Sequence, residues 1–206
     1  MSETTLNAAA VPGWFGKMPN LGDFASRRLP DAFVRRWDRW LQRGLASARS
    51  ELGERWLDAY LVAPIRRFWL APGVLGAGGW AGLLMPSVDR VGRHFPLTIA
   101  QPIEPLAVAL AARAWFRALD DAARQVLDVN FTIDDLEREL AEVSRADNPA
   151  VDDAAERLAE RVLRRCAART PCSMWWCGDA SDEAEFLCFA ALPPATAFAS
   201  MIGGAA

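Results

Sequence analysis

The sequence predicts one α/β domain built on a mixed, largely antiparallel sheet. Apolar segments of strand length occur in the first hundred residues and again near the C-terminus, and a long helix-periodic segment separates them. Strands, then helices, then strands again favour a single sheet with helices on its faces. The hydrophobic fraction of 52%, with nine tryptophans, is enough for a large core. No polar linker or repeat divides the chain, so we expect 1–206 to form one domain, with 1–12 as a disordered tail.

The N-terminal part is predicted to form a strand, a turn and two helices. Trp14–Met18 is a short apolar strand, and Pro19–Gly22 has the residues of a tight turn. A helix is expected to begin at Pro30 and Asp31, because proline suits a first helical turn and aspartate is favourable near a helix N-terminus. A second, shorter helix is predicted around Glu51–Tyr60.

Four arginines lie off the apolar face of the first predicted helix: Arg35, Arg36, Arg39 and Arg43. Such a basic stripe is either a docking surface for an acidic partner or an ordinary solvated face above an aromatic core. We favour the solvated face, since it is the more common role of charged residues on an amphipathic helix.

The middle of the first half is predicted to be a three-stranded meander. Its strands are Arg67–Ala71, Trp80–Met85 and Phe95–Ile103. Asp89–Gly92 suits a type I turn between the last two strands, with aspartate first and glycine fourth. The glycine-rich loop 73–79 has neither G-x-G-x-x-G nor Gly-Lys-Ser/Thr, so it does not indicate a phosphate site.

The second half is predicted to be helical and then to return to the sheet. One helix is expected over Leu106–Leu127, and a second begins at Thr132, which forms a capping-box pattern with Asp135. Asn148–Pro149 indicates the start of a third helix. Two strands follow at Cys172–Cys177 and Glu185–Ala190, and the remaining residues, to Ala206, are expected to form a docked C-terminal helix with a frayed end.

Composition excludes several classes of function. Lys17 is the only lysine and the net charge is −3, so the chain lacks the basic cluster of a nucleic-acid-binding domain. We expect no signal peptide, because the N-terminus has no basic region followed by an apolar core. We also expect no membrane insertion and a cytoplasmic location, because no segment has the apolar length of a spanning helix. The four cysteines, at positions 166, 172, 177 and 188, lack zinc-site spacing with the single histidine. We therefore expect reduced, buried thiols and no metal or other cofactor.

The hairpin turn contains a group of residues that suggests a hydrolase. Ser87, Asp89 and His94 are the residue types of a nucleophile, an orienting carboxylate and a base. However, all three lie across one predicted turn, and no G-x-S-x-G elbow surrounds Ser87. A catalytic role is the less favoured interpretation, although the sequence leaves it open.

The favoured interpretation is a surface that recognises another macromolecule. Asp89 is expected to accept hydrogen bonds from turn amides or to pair with Arg93, and the arginines are expected to present planar donors to an anionic group. His94 is either a solvent-facing contact or a satisfied edge residue. A salt bridge from Asp23 to an arginine is a hypothesis that would join the two turns. The predicted contact residues are Lys17, Asp23, Asp89, Arg90, Arg93 and His94.

Three segments resemble the TagF/ImpM family of type VI secretion accessory proteins. They are FGKMPNLGDF (15–24), RRLPDAFVRRWDRWLQ and GWAGLLMPSVDRVGRHFPLT, in the family's order and spacing. The resemblance implies a cytoplasmic protein with a three-layer α-β-α sandwich. It also implies a non-enzymatic, post-translational repressor that binds a forkhead-associated scaffold protein of the apparatus and prevents productive assembly. A structural accessory subunit of the secretion machine is a further alternative.

Overall fold

Seven strands form one sheet in which every neighbouring pair is antiparallel. The computed structural model describes residues 10–145, 150–166, 171–181 and 183–203. The order across the sheet is β2-β1-β5-β4-β3-β6-β7. The strands are β1 Gly13–Gly16, β2 Ala25–Arg27, β3 Arg66–Leu70, β4 Trp80–Met85, β5 Leu97–Pro102, β6 Cys172–Trp176 and β7 Leu187–Ala190.

Seven α-helices accompany this sheet in the described ranges. They are α1 Asp31–Leu52, α2 Trp56–Leu61, α3 Leu106–Ala111, α4 Arg113–Gln125, α5 Ile133–Arg145, α6 Asp153–Cys166 and α7 Phe198–Gly203. Short 3-10 turns at Gly53–Arg55 and Ala195–Ala197 precede α2 and α7.

The predicted meander and the late return to the sheet are both confirmed. β3, β4 and β5 are adjacent and antiparallel, and β6 pairs with β3, so the C-terminal strands extend the sheet of the first half. The short strand β2 was not predicted. It has three residues and no apolar alternation, and it pairs with β1 through the register Trp14↔Arg27. A strand of this kind depends on its neighbour, so local sequence gives little indication of it.

The prediction of one continuous helix over Leu106–Leu127 is wrong, because the helix is interrupted at Ala112. The backbone there has φ −74° and ψ 42°, outside the α region, and α4 begins at the next residue. Alanine is a strong helix former, so its identity gave no sign of a break.

The predicted capping box is confirmed at the start of α5. The Thr132 hydroxyl accepts the Asp135 amide at 3.2 Å, and the Asp135 carboxylate accepts the Thr132 amide at 2.9 Å. Asn148–Pro149 lies outside the described residues. The third helix itself, α6, is capped by Asp152, whose Oδ1 accepts the Ala155 amide at 2.7 Å.

The aromatic core joins α1 to the sheet and to the C-terminal helix. Trp37 lies in α1 with its ring centroid 5.0 Å from that of Phe68 in β3. The C-terminal segment is docked as predicted, since Phe198 of α7 is buried and lies against α1 at Gly44. Residues 1–9 of the predicted tail lie outside the described part, while Pro12 is buried and its carbonyl accepts hydrogen bonds from Arg28.

The prediction of reduced, buried thiols is wrong for three of the four cysteines and is confirmed for Cys172. Cys166 of α6 and Cys188 of β7 form a disulfide with their Cα atoms 6.2 Å apart. Cys172 is a buried free thiol, whereas Cys177 is exposed. The bond joins residues on a helix and an edge strand, which local spacing does not bring together.

The described residues contain neither a candidate metal site nor a helix suited to span a membrane. In those residues, no group of three or more histidine, cysteine, aspartate or glutamate side chains is arranged to hold a metal ion. None of the helices described has both the length and the apolar character to span a bilayer.

Candidate functional site

The predicted turn between β4 and β5 is present at one end of the sheet. The Gly92 amide donates to the Asp89 carbonyl at 3.0 Å, which closes the four-residue turn. Below it, Val88 and His94 form an antiparallel bridge. Gly92 has φ +82°, in the left-handed region that favours glycine. The sequence therefore correctly placed both the turn and the residue that permits it.

Residues 17–24, which follow β1, dock against this hairpin. The Arg90 amide donates to the Leu21 carbonyl at 2.9 Å, and the Arg93 guanidinium donates to the Gly22 carbonyl at 2.5 Å. The Ser87 hydroxyl donates to the Lys17 carbonyl at 2.7 Å. We call residues 17–24 and 87–95 together the paired-turn surface. Its two parts are the turns that the sequence analysis singled out.

A buried ion pair lies beneath the paired-turn surface. Lys17 Nζ is 2.7 Å from Asp89 Oδ2, and both side chains are almost completely buried. The expectation that Lys17 is an exposed partner contact is therefore wrong, since only 4% of the residue is accessible. Its apolar stem is covered and its ammonium group is neutralised inside the protein. Lys17 holds the surface together from within.

Asp89 is the centre of this arrangement. It accepts hydrogen bonds from the Val91 and Arg93 amides at 3.0 and 2.8 Å, and from Arg93 Nε at 2.7 Å. Both predicted roles, accepting turn amides and pairing with Arg93, are thus confirmed. The expectation that Asp89 is also a partner contact is wrong, because only 3% of the residue is accessible. Burial by itself would raise the pKa of this carboxyl. The hydrogen bonds from Lys17, Arg93 and Val91 outweigh burial and hold the pKa well below its usual range.

The hypothesised bond from Asp23 to an arginine is not formed. Asp23 accepts the Phe24 amide at 2.8 Å and forms no ion pair within the described residues. The two turns are joined instead by Lys17 and by backbone carbonyls. Asp23 remains exposed, as do Arg90 and Arg93.

Two exposed apolar residues of this surface were missed by sequence reasoning. Phe24 is 44% exposed and Val91 is 66% exposed. The Phe24 ring lies 4.7 Å from the Phe95 ring, and Lys17 Nζ lies 4.8 Å from its centroid. An aromatic residue in a turn rich in polar residues was the available signal for Phe24. The exposure of Val91 could have been predicted in a similar way, since this apolar residue lies in the turn between Arg90 and Arg93.

Tyr60 of α2 supports the hairpin from below and was also missed. Its hydroxyl donates to the Ser87 carbonyl at 2.9 Å and accepts the Ser87 amide at 3.0 Å. His94 packs edge-to-face against Tyr60 and Trp56, with centroids 5.5 and 5.8 Å away. Burial, and then the positive charge of Arg49, lower the pKa of His94. His94 is therefore a half-buried residue at the edge of the hairpin, held by ring contacts to Tyr60 and Trp56.

The geometry does not assemble the hydrolase alternative. The Ser87 hydroxyl is buried and donates to a backbone carbonyl, and none of the hydrogen bonds in the described structure joins it to His94. Asp89 is paired with Lys17 and Arg93, so it does not orient the imidazole. A nucleophile and its base need a direct hydrogen bond or one bridging water. The three side chains therefore have separate structural roles.

Acid is expected to destabilise the fold in two successive pH ranges. The lowered pKa of His94 means that the unfolded chain takes up a proton first, so stability should begin to fall below about pH 6.5. The pKa of Asp135 is lowered to about 2 by hydrogen bonds from Thr132 and Arg138, and that of Asp89 is also lowered. Their stabilisation is complete above about pH 4 and is lost as pH falls through their folded-state values.

Urea unfolding midpoints between neutral pH and about pH 2 test this expectation. His94→Gln should remove part of the decline in the first range and leave the second unchanged. Asp135→Asn should reduce the second decline only. A wild-type midpoint that stays constant down to about pH 3 would contradict the assignment of these groups.

Both turns lie within the part of the chain that matches a known protein family. Residues 13–143 match the TagF N-terminal domain family, described as type VI secretion system-associated. The chain is also similar to a solved structure, the crystal structure of PA0076 from Pseudomonas aeruginosa PAO1 at 2.05 Å resolution. The two are 35% identical with a TM-score of 0.79, and the match covers 95% of each chain. No curated protein matches the chain at a significant level.

Proposed function

Because this chain belongs to the TagF N-terminal domain family associated with type VI secretion, we propose that it is a non-enzymatic negative regulator of that system. In this proposal it acts after translation, in the cytoplasm, by binding a forkhead-associated scaffold protein of the apparatus. Occupying the scaffold prevents productive assembly or activation. The partner and the direction of regulation come from the family resemblance, and the paired-turn surface is the feature of the molecule that supports a binding role.

The observation that carries the proposal is the contrast between the interior and the exterior of this surface. Inside, Lys17 and Asp89 form a buried ion pair that fixes both turns. Outside, Arg90 and Val91 project from the tip, and the Arg93 side chain is 55% exposed while its Nε holds Asp89. A rigid turn with exposed arginines and apolar groups is suited to recognition, since little backbone freedom is lost on binding.

Two observations favour binding over catalysis at this surface. The most reactive-looking side chains, those of Ser87 and Asp89, are buried and fully engaged in holding the turns. The exposed groups include arginine and phenylalanine, two residue types that are enriched in protein interfaces. We therefore keep the non-enzymatic role as the proposal.

We also propose the three-layer α-β-α arrangement that the resemblance implies. Its support comes from two consecutive tryptophans in β6. The ring centroid of Trp175 lies 6.0 Å from that of Trp37 in α1. The ring centroid of Trp176 lies 5.3 Å from that of Phe116 in α4. Successive side chains of a strand point to opposite faces of the sheet. Trp175 and Trp176 therefore point to opposite faces, and their contacts support α1 on one face of the sheet and α4 on the other.

A pull-down of the purified forkhead-associated scaffold tests the proposed function. Arg90→Glu should weaken capture about tenfold or more, because a charged interface contact changes sign and becomes repulsive. Arg90→Glu/Arg93→Glu should weaken capture further. Arg90 is the cleaner single site, because Arg93 also supports Asp89.

Arg157→Glu is the matched control, since it makes the same charge change on an exposed residue of α6. It should bind like wild type. Circular dichroism and melting temperatures should show that each variant is folded. Wild-type capture by a folded double variant would exclude the paired-turn surface as the contact, and absence of scaffold capture by the wild type would remove the proposed partner.

A further inference from the structure

A groove lies at the opposite end of the sheet from the paired-turn surface. The connection between β4 and β5 forms the paired-turn end, so the preceding connection, between β3 and β4, lies at the other end. Residues of that loop, of α1 and of the segment after β7 line a groove of about 430 Å³. Protein pockets for small ligands or peptide side chains commonly measure roughly 300–1,000 Å³. The groove is therefore large enough to receive side chains of a partner.

Three exposed arginines of α1 form one wall: Arg36, Arg39 and Arg43. Their spacing of three and four residues places them on one face of the helix. Across the ranges that the structure describes, none of the three pairs with a carboxylate. This differs from Arg35 of the same helix, which has Asp31 one turn away at 3.9 Å. Three guanidinium groups beside one groove, without acidic partners, create a local positive field.

The remaining lining is apolar. Val74 and Leu75 contribute from the β3–β4 loop, and Leu192 and Pro193 contribute from the segment after β7. Trp40 lies on the arginine side, and its indole N–H donates to the Pro193 carbonyl at 2.8 Å. That bond fixes the segment after β7 against α1. The groove thus combines a preformed apolar floor with a basic rim.

The segment after β7 also has an unusual backbone. Ala191 has φ +56°, in the left-handed region that non-glycine residues seldom occupy. Its amide donates to the Pro171 carbonyl at 2.7 Å, which holds the bend in place. Strained residues of this kind occur often at functional sites. Here the bend directs the chain from the edge strand to the groove.

We propose that this groove binds an acidic segment of a partner protein, in an extended form, with an apolar side chain on the floor and carboxylates against the arginines. Charge complementarity selects the occupant, since guanidinium groups form strong, planar hydrogen bonds with carboxylates. The apolar floor favours a peptide over a free inorganic anion, which has no apolar group to bury, and over a nucleic acid, which has no aliphatic side chain to place in the groove. The proposal assigns a contact role to an arginine stripe that sequence reasoning interpreted as a solvated face.

This site is separate from the paired-turn surface and does not depend on the proposed function. The two surfaces lie at opposite ends of the sheet, so one molecule can engage both at the same time. A partner that bridges them, or two partners, are both compatible with this arrangement. The scaffold pull-down tests the paired-turn surface and the peptide experiment tests the groove, so a negative result in one does not decide the other.

Fluorescence anisotropy with the full chain tests the groove. The probe is a short fluorescein-labelled peptide in which glutamates flank a central leucine. Wild-type protein should bind it, and Arg36→Glu/Arg39→Glu should weaken binding about tenfold or more. Arg164→Glu/Arg165→Glu makes the same charge change on exposed residues of α6 and should leave binding unchanged.

Two further probes separate a specific site from a general attraction for anions. Replacing the central leucine of the peptide by serine should weaken binding, and a labelled single-stranded oligonucleotide of equal charge should bind less well than the peptide. Added salt should weaken binding by screening the exposed arginines. The proposal is overturned if the peptide does not bind, if both double variants bind equally, or if the oligonucleotide or serine peptide binds as well as the leucine peptide.

Discussion

Replacement of Asp89 by alanine is expected to lower the melting temperature by roughly 10 °C. The carboxylate receives hydrogen bonds from Lys17, from Arg93 and from the Val91 and Arg93 amides. Its removal leaves the buried Lys17 ammonium without a counter-charge. The Phe24 ring, 4.8 Å from Nζ, then remains as a weaker contact for that charge. An uncompensated buried charge is far more harmful than the loss of an exposed pair.

The two partners of this pair are expected to be unequal. Lys17→Met should cost less than Asp89→Ala, because Asp89 keeps Arg93 and two amides as donors. The double variant Lys17→Met/Asp89→Ala should be more stable than Asp89→Ala alone, since the orphaned ammonium is gone.

Thermal unfolding followed by circular dichroism measures these differences. Asp23→Ala serves as the matched control, since within the described part of the chain this exposed aspartate of the same surface accepts only the neighbouring Phe24 amide. It should melt close to wild type. If Asp89→Ala and Asp23→Ala melted at the same temperature, the buried pair would have no structural role. Loss of scaffold capture by a folded Asp89→Ala variant is also expected, because the turns would lose their fixed geometry.

The second large effect is expected at Gly82, in the middle of β4. Gly82 lies beside Ala100 in β5 and Phe68 in β3, so it has strands on both sides. A Cβ atom added there would lie 2.1 Å from the Ile99 carbonyl oxygen and 2.8 Å from the Ala100 Cα. Those atoms belong to backbone, which cannot rotate away. Gly82→Ala should therefore destabilise the protein by about 3 kcal/mol, through displacement of the central strands.

Urea unfolding with Gly78→Ala as a control tests this expectation. Gly78 lies in the loop before β4. A Cβ atom added there would have Glu104 Oε1, at 3.5 Å, as its nearest neighbour, which is an ordinary contact distance. The same substitution there should change stability by less than about 1 kcal/mol. Equal midpoints for the two variants would show that β4 and β5 can separate to admit a methyl group without loss.

Much of the fold followed from local pattern. β4 was predicted with its correct ends, because Trp80–Met85 is a continuous apolar segment between a glycine-rich loop and a turn. The capping box at Thr132 was predictable because its two residues are three positions apart. The break at Ala112 and the strand β2 were not, since neither is favoured by the residues that form it. Tertiary contacts outweighed local propensity at both places.

The candidate site shows the same division between local pattern and tertiary contact. Sequence reasoning identified the two turns and the roles of Asp89, because its amide donors and Arg93 lie within four residues of it. It wrongly predicted that the Lys17 side chain is exposed, because the carboxylate that pairs with it lies 72 positions away in the chain. Tyr60 was missed for a similar reason, since it is 27 positions from Ser87.

The amino-acid sequence by itself determined the turns, most strands and helices, and the family to which the chain belongs. Those features depend on residues a few positions apart, or on long shared segments. Only the tertiary structure decided that Lys17 is buried, that Cys166 bonds to Cys188, and that the arginines of α1 border a groove. Each of these requires segments far apart in the chain to meet. Burial and pairing depend on contacts between these distant segments, and the local sequence pattern does not specify such contacts.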